Sequence, residues 1–139
     1  LGIKEEQNAA ANFLIENNIR GPLFNNYDIG GYLTYYLYPE EKVFVDNRPE
    51  AYPDEFFTRT YLPLFEDPLS WEQAEKTYRF NAIVYYLRDF NVYKEQFLMH
   101  VAQDPTWALV YLDNDITILL KRNEQNQEII KKFEMPKFN

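Results

Sequence analysis

The sequence predicts an α/β domain built on a mostly parallel sheet, and three observations lead there. Short apolar runs rich in Val, Ile, Phe and Tyr alternate with longer segments of helical spacing, as strands and their crossover helices do. The runs are apolar on successive residues, as strands covered on both faces are. The length of 139 residues is that of one domain. The expected form is a single unit over 1–139. It is three-layer and Rossmann-like, with about five strands in the order 2-1-3-4-5. A C-terminal antiparallel hairpin closes one edge.

The elements follow in order. Ala9, Ala10, Phe13 and Leu14 have helical spacing and predict a helix over 5–18, with Asn17-Asn18 as its C-terminal residues. Gly21-Pro22 breaks the chain, and Leu23-Phe24 opens a short strand ending near Asn25-Asn26. Asp28 is a good N-cap for a helix carrying the stripe Ile29, Leu33, Tyr36 and Leu37, which Pro39 stops. Lys42-Val43-Phe44-Val45-Asp46 reads as a buried strand with a polar exit. Residues 47–53 hold two prolines and form a loop. A helix over 54–65, bent at Pro63, turns Phe57, Tyr61 and Leu64 inward. Asp67-Pro68 ends it, and Ser70 caps a shorter helix to Tyr78 with Gln73 in the reciprocal position. Ile83-Val84-Tyr85-Tyr86 marks the next strand. Asn91 caps a helix to Ala102 bearing Val92, Phe97, Leu98 and Val101, which Asp104-Pro105 ends. Two apolar runs flank Asp113-Asn114, a turn that tolerates positive φ, and so predict a hairpin. Ile129, Ile130 and Phe133 lie on a final helix over 124–134.

Composition removes several function classes. A formal charge of −8 argues against a nucleic-acid backbone binder, which carries a basic face. With no cysteine there is no disulfide framework and no thiolate-held metal. The lone His100 rules out a multi-histidine metal site and sits on a predicted helix without a nearby serine. Ser70, the one serine, reads as a cap. The longest uncharged run, 29–39, is too short for a membrane span, which needs about 20 apolar residues. No signal peptide is evident in this stretch. The start Leu1-Gly2-Ile3, without an initiator methionine, suggests a piece of something longer. Aromatic residues make up 18%, including 12 Tyr, and Tyr32, Tyr35, Tyr36 and Tyr38 crowd one helix. They read as core packing with hydroxyls at the rim, or as a sticky face for a partner.

In an open parallel sheet, ligands bind beyond the carboxyl ends of the strands, where the strand order reverses. That crest is expected to gather Asn25, Asn26, Tyr27 and Asp28 after the first strand. Asp46, Asn47 and Arg48 follow the second, and Arg88 and Asp89 the third. Such groups suit a sugar, a phosphate or a hard cation. They also suit a helix cap and solvated loop charges. The ligand-binding candidates are Asn25, Tyr27, Asp28, Asp46, Arg48 and Asp89. No catalytic residue, metal or cofactor is expected. Gly30-Gly31 falls inside a helix's first turn, not in the strand–helix turn a dinucleotide fingerprint requires.

The stretch Phe24-Asn25-Asn26-Tyr27-Asp28-Ile29-Gly30-Gly31-Tyr32-Leu33, then Tyr38-Pro39, then Lys42-Val43-Phe44-Val45-Asp46-Asn47-Arg48, resembles a pattern in bacterial polytopic membrane proteins akin to the GT-C class of lipid-linked-sugar glycosyltransferases. The later Asp104-Pro105-Thr106-Trp107 hairpin region fits as well, so the resemblance covers most of 8–122. In those proteins the pattern opens a soluble domain after the last membrane helices. The resemblance implies an extracytoplasmic domain that helps shape a glycan or acceptor site, with the catalytic acid elsewhere in the parent chain. Its partners would be the membrane portion of that chain and a glycan or lipid-linked sugar, with no nucleic acid. Asn47 departs from the pattern, where glycine is expected between Asp and Arg. The alternatives are a stand-alone nucleotide- or sugar-phosphate-binding protein and a tyrosine-rich interaction module.

Overall fold

The computed structural model of the chain describes residues 8–26, 29–37, 42–45, 55–88 and 92–137. Helix α1 spans Asn8–Glu16. Asparagine ends it as expected: Asn18 takes φ 52°, the left-handed conformation its short side chain tolerates. Asn18 N–H donates to Ile15 O (3.1 Å) and Ile19 N–H to Leu14 O (3.0 Å), satisfying the last carbonyls. Its buried stripe is Ala10, Ala11 and Leu14, one position on from the predicted alanines, and Ala9 is exposed.

Strand β1, Leu23–Asn25, leads to α2, Gly30–Leu37, which begins at the glycine pair. The predicted 54–65 helix is instead a π-helical turn, Phe56–Tyr61, followed by the short α3, Pro63–Glu66. Helix α4, Pro68–Tyr78, starts earlier than predicted because Pro68 suits the first helical position, where its missing N–H costs nothing. Its cap is Asp67, which accepts Leu69 N–H at 3.0 Å, while Ser70 only hydrogen-bonds to Asp67. Next come β2 (Ala82–Tyr86), α5 (Val92–Gln103), β3 (Trp107–Leu112) and β4 (Ile116–Lys121). A 3-10 turn, Glu124–Asn126, capped by Asn123, feeds α6, Gln127–Phe133.

Among the described residues the sheet has four strands in the order β1-β2-β4-β3. This corrects two expectations. Residues 42–45 form no strand. The hairpin also enters the sheet by its second strand, so β4 lies between β2 and β3. β1 and β2 are parallel, β4 is antiparallel to both its neighbours, and β3 therefore runs the way β2 does. The physical reason lies in the strands. β4 buries five successive residues, whereas β3 carries an irregularity between Leu109 and Tyr111 and ends half-buried and then exposed. Bulged strands with a polar end belong at an edge. The chain after α6 closes that edge: Met135 N–H donates to Leu109 O (3.0 Å), and Arg122 pairs with Glu134.

Helices cover both faces of the sheet, and the faces differ. On one, α1, α2 and α6 pack on aliphatic strand residues such as Leu23, Val84, Ile118 and Leu120. On the other, α3, α4 and α5 enclose an aromatic cluster. Phe24 is its centre: it is 0% exposed, and the rings of Phe44, Phe65, Trp71, Phe80 and Phe97 lie 5.0–6.0 Å from it. Much of the aromatic excess is spent here. Of the crowded tyrosines, Tyr32 is buried and its hydroxyl accepts Ala11 N–H, Tyr36 bonds Asn8, and Tyr35 is 80% exposed.

Candidate functional site

The carboxyl ends of β1, β2 and β3 share one end of the sheet, the predicted crest. Asn25 and Asn26 stand there, both 0% exposed. Asn26 works as a detached peptide group: its Nδ2 donates to Tyr86 O (3.0 Å) and its Oδ1 accepts Tyr86 N–H (2.8 Å). It thus lengthens the β1–β2 ladder by one step beyond the backbone. Asn25 faces the other way. Its Oδ1 accepts Phe44 N–H (2.8 Å) and Val45 N–H (3.3 Å), and its Nδ2 donates to Val45 O (2.5 Å) and Asn26 O (3.0 Å). These bonds explain why 42–45 needs no strand partner: an asparagine side chain satisfies the backbone that a ladder would have paired.

Of the six candidates, Asn25 is described and its amide is committed to the backbone. Tyr27, Asp28, Asp46, Arg48 and Asp89 lie outside the described residues. The described segments that precede them, ending at Asn26, Val45 and Arg88, all finish at this end of the sheet. Arg88 is paired with Asp115 across the crest, and that bond raises its pKa. Asp113 orders the neighbouring turn by accepting Asp115 and Ile116 N–H, each at 2.8 Å. It also takes the Tyr111 hydroxyl at 2.6 Å. Burial first, and then that carboxylate, raise the Tyr111 pKa well above the usual phenol range.

The opposite end of the sheet carries a polar arrangement that the sequence did not signal. Glu75 on α4 accepts the Trp107 indole N–H at Oε1 (3.0 Å) and Lys121 Nζ at Oε2 (3.2 Å). Lys121 also donates to Thr106 Oγ1 (3.0 Å) and stands 5.0 Å above the Trp107 ring. Burial alone would raise the Asp104 pKa, but two hydrogen bonds from Thr106 together with the Lys121 charge hold it below the usual carboxylate value. Beside this lies a web of asparagines. Asn81 Oδ1 accepts from Asn123 and Asn126, both at 2.9 Å, and Asn81 Nδ2 donates to Arg20 O (2.7 Å). Glu75, Trp107 and Lys121 are far apart in sequence. The one local signal was a lysine closing an otherwise apolar run.

No group of three or more His, Cys, Asp or Glu among the described residues is arranged to hold a metal ion. No described helix is long and apolar enough to cross a membrane. No protein family, curated protein or solved structure matches the chain.

Proposed function

We propose that the chain is the extracytoplasmic, non-catalytic domain of a larger membrane protein of GT-C type, and that its crest helps recognise a glycan or acceptor. The Rossmann-like, three-layer description belongs to this reading. The observation that supports it most is the asparagine latch. Two parts of the stretch that carries the resemblance meet at one sheet end, where Asn25 hydrogen-bonds to Phe44 and Val45. The described segments these bonds join end directly before the polar residues of each half of the pattern. Rigid scaffolds that present polar loops are where recognition concentrates. The half-buried Tyr86 and the Arg88–Asp115 pair add an aromatic body and fixed charges at the same end. Carbohydrates are bound by such mixtures of flat apolar surface and planar hydrogen-bonding groups.

Two measurements test this reading. The reading frame upstream of Leu1 should encode several apolar runs of about 20 residues each. A start codon directly before Leu1 overturns the membrane assignment. The ¹⁵N-labelled domain is also titrated with a panel of mono- and oligosaccharides and a short-chain prenyl-phosphate sugar. Amide shifts at Asn25, Asn26, Tyr86 and Arg88 are expected. An unchanged spectrum at millimolar ligand overturns the glycan assignment.

A further inference from the structure

A cleft of about 420 Å³ opens at the end of the sheet opposite the crest, beside the C-terminal turn of α4. Its volume lies within the range of small-molecule sites. Three cations line it, Lys76, Arg79 and Lys121, in a chain whose net charge is −8. Their partners differ. Lys121 gives two of its three protons to Glu75 and Thr106, which leaves one. Lys76 and Arg79 have no side-chain hydrogen bond or ion pair among the described residues. Glu75 is spent on Trp107 and Lys121, so its charge is largely neutralised within the protein.

Arg79 is also an unusual choice for its backbone position. It ends α4 at φ 54° and ψ 52°, with its N–H on Glu75 O (2.9 Å). Glycine is the ordinary residue there, because a Cβ disfavours the left-handed conformation. At Asn18 the chain meets the same demand with asparagine, but here it places a guanidinium. Such a backbone outlier points from structure toward function. The walls are fixed: Asn81 is 5% exposed and tied by the asparagine web, and Phe80 is 4% exposed and stacked on Trp71 at 6°.

We propose that this cleft binds a small hydroxylated oxyanion, a phosphate monoester or a hydroxycarboxylate. Arg79 takes the oxyanion by its planar fork, Lys76 supplies the second charge, and Lys121, its own charge balanced by Glu75, adds its remaining N–H as a donor. Glu72, the remaining unspent carboxylate of the lining, accepts the ligand's hydroxyl.

The test titrates the ¹⁵N-labelled chain with inorganic phosphate and, in a parallel arm, with lactate, holding ionic strength constant. The expected result is saturable shifts at the Arg79, Phe80 and Asn81 amides and the Asn123 side chain, with a dissociation constant of about 1–10 mM. The arm that saturates at lower concentration identifies the oxyanion. Lys76→Gln and Arg79→Gln should each weaken binding about 5-fold or more, since each removes a charge-assisted bond. Lys132→Gln, outside the cleft, should leave it unchanged. Arg79→Gly should melt at a higher temperature than the parent and lose binding. Non-saturating shifts in both arms overturn the proposal, as does undiminished binding by Arg79→Gly or by Lys76→Gln.

Discussion

Replacing Asn25 with alanine removes four hydrogen bonds from a residue with no exposed surface. The loss is not confined to the side chain. Phe44 N–H, Val45 N–H and Val45 C=O lose the partner that replaces a β-ladder, and Val45 is itself 0% exposed. A buried backbone group left unpaired costs about 1–3 kcal/mol, so three set an upper range of roughly 3–9 kcal/mol. Water entering the space of the lost amide recovers part of this, which brings the expected loss to about 3–4 kcal/mol. A domain of ordinary stability, about 5–15 kcal/mol, stays folded but with a much lower urea midpoint. The assay is urea unfolding followed by tryptophan fluorescence, paired with amide spectra. Shifts should centre on 44–45 and on Asn26. Asn25→Asp is the control. It keeps the acceptor toward Phe44 and Val45 but turns a second oxygen toward the Val45 and Asn26 carbonyls, so the folded state favours the protonated acid. Its folded pKa therefore lies above the unfolded one, and its stability should recover as pH falls through that value. A loss under about 1 kcal/mol for Asn25→Ala would refute the latch, because it would mean that no buried group had been orphaned.

Other expectations concern the core and its ionisation. Phe24→Ala should cost about 3–5 kcal/mol by denaturant unfolding, since it empties the centre of the aromatic cluster. Trp107→Phe should cost about 1.5–3 kcal/mol more than Trp71→Phe, because the Trp107 indole bonds to the Glu75 carboxylate whereas Trp71 Nε1 has no partner. Tyr32 and Tyr111 both have pKa values raised, by burial first. Their protons stay on in the folded state while the unfolded chain loses them, so their contribution is complete below about pH 10 and is lost as pH rises above it. A melting-temperature series from pH 8 to 11 should fall at the alkaline end, and less steeply for Tyr111→Phe. Arg122→Ala should move the Glu134 carboxyl back up toward its ordinary value, because the Arg122 hydrogen bond is what lowers it. Stability should drop by no more than about 1 kcal/mol, since the pair is partly exposed.

The sequence made the local punctuation legible. Asn17-Asn18 ended α1, the glycine pair opened α2, and the Ile83-to-Tyr86 run was β2, since each depends on residues a few positions apart. The hairpin was visible too, but not its orientation, because either strand satisfies the same turn. What placed β4 inside was its unbroken burial against the bulge in β3, which appears only once neighbours are assigned. Residues 42–45 have the composition of a strand and miss being one because Asn25, 19 and 20 residues away, supplies the hydrogen bonds. Asp67-Pro68 is the terminator it looked like, with Asp67 closing α3 by donating its N–H to Pro63 O, and it also initiates α4, which the sequence placed at Ser70. At the crest, five of the six residues the sequence singled out lie outside the described residues, and the sixth, Asn25, spends its amide on the backbone. At the opposite end, Glu75, Trp107 and Lys121 meet only through long-range packing, and no spacing announced them.

On the proposed reading the two ends of the sheet do different work: the crest recognises a glycan or acceptor, and the cleft beside α4 takes a small oxyanion. One ¹⁵N-labelled sample, given inorganic phosphate to saturation and then the saccharide panel, tests it directly. Two separate sets of shifts are predicted, Arg79, Phe80 and Asn123 for phosphate, and Asn25, Asn26, Tyr86 and Arg88 for a saccharide. A single shared set, or no response to either, would contradict it.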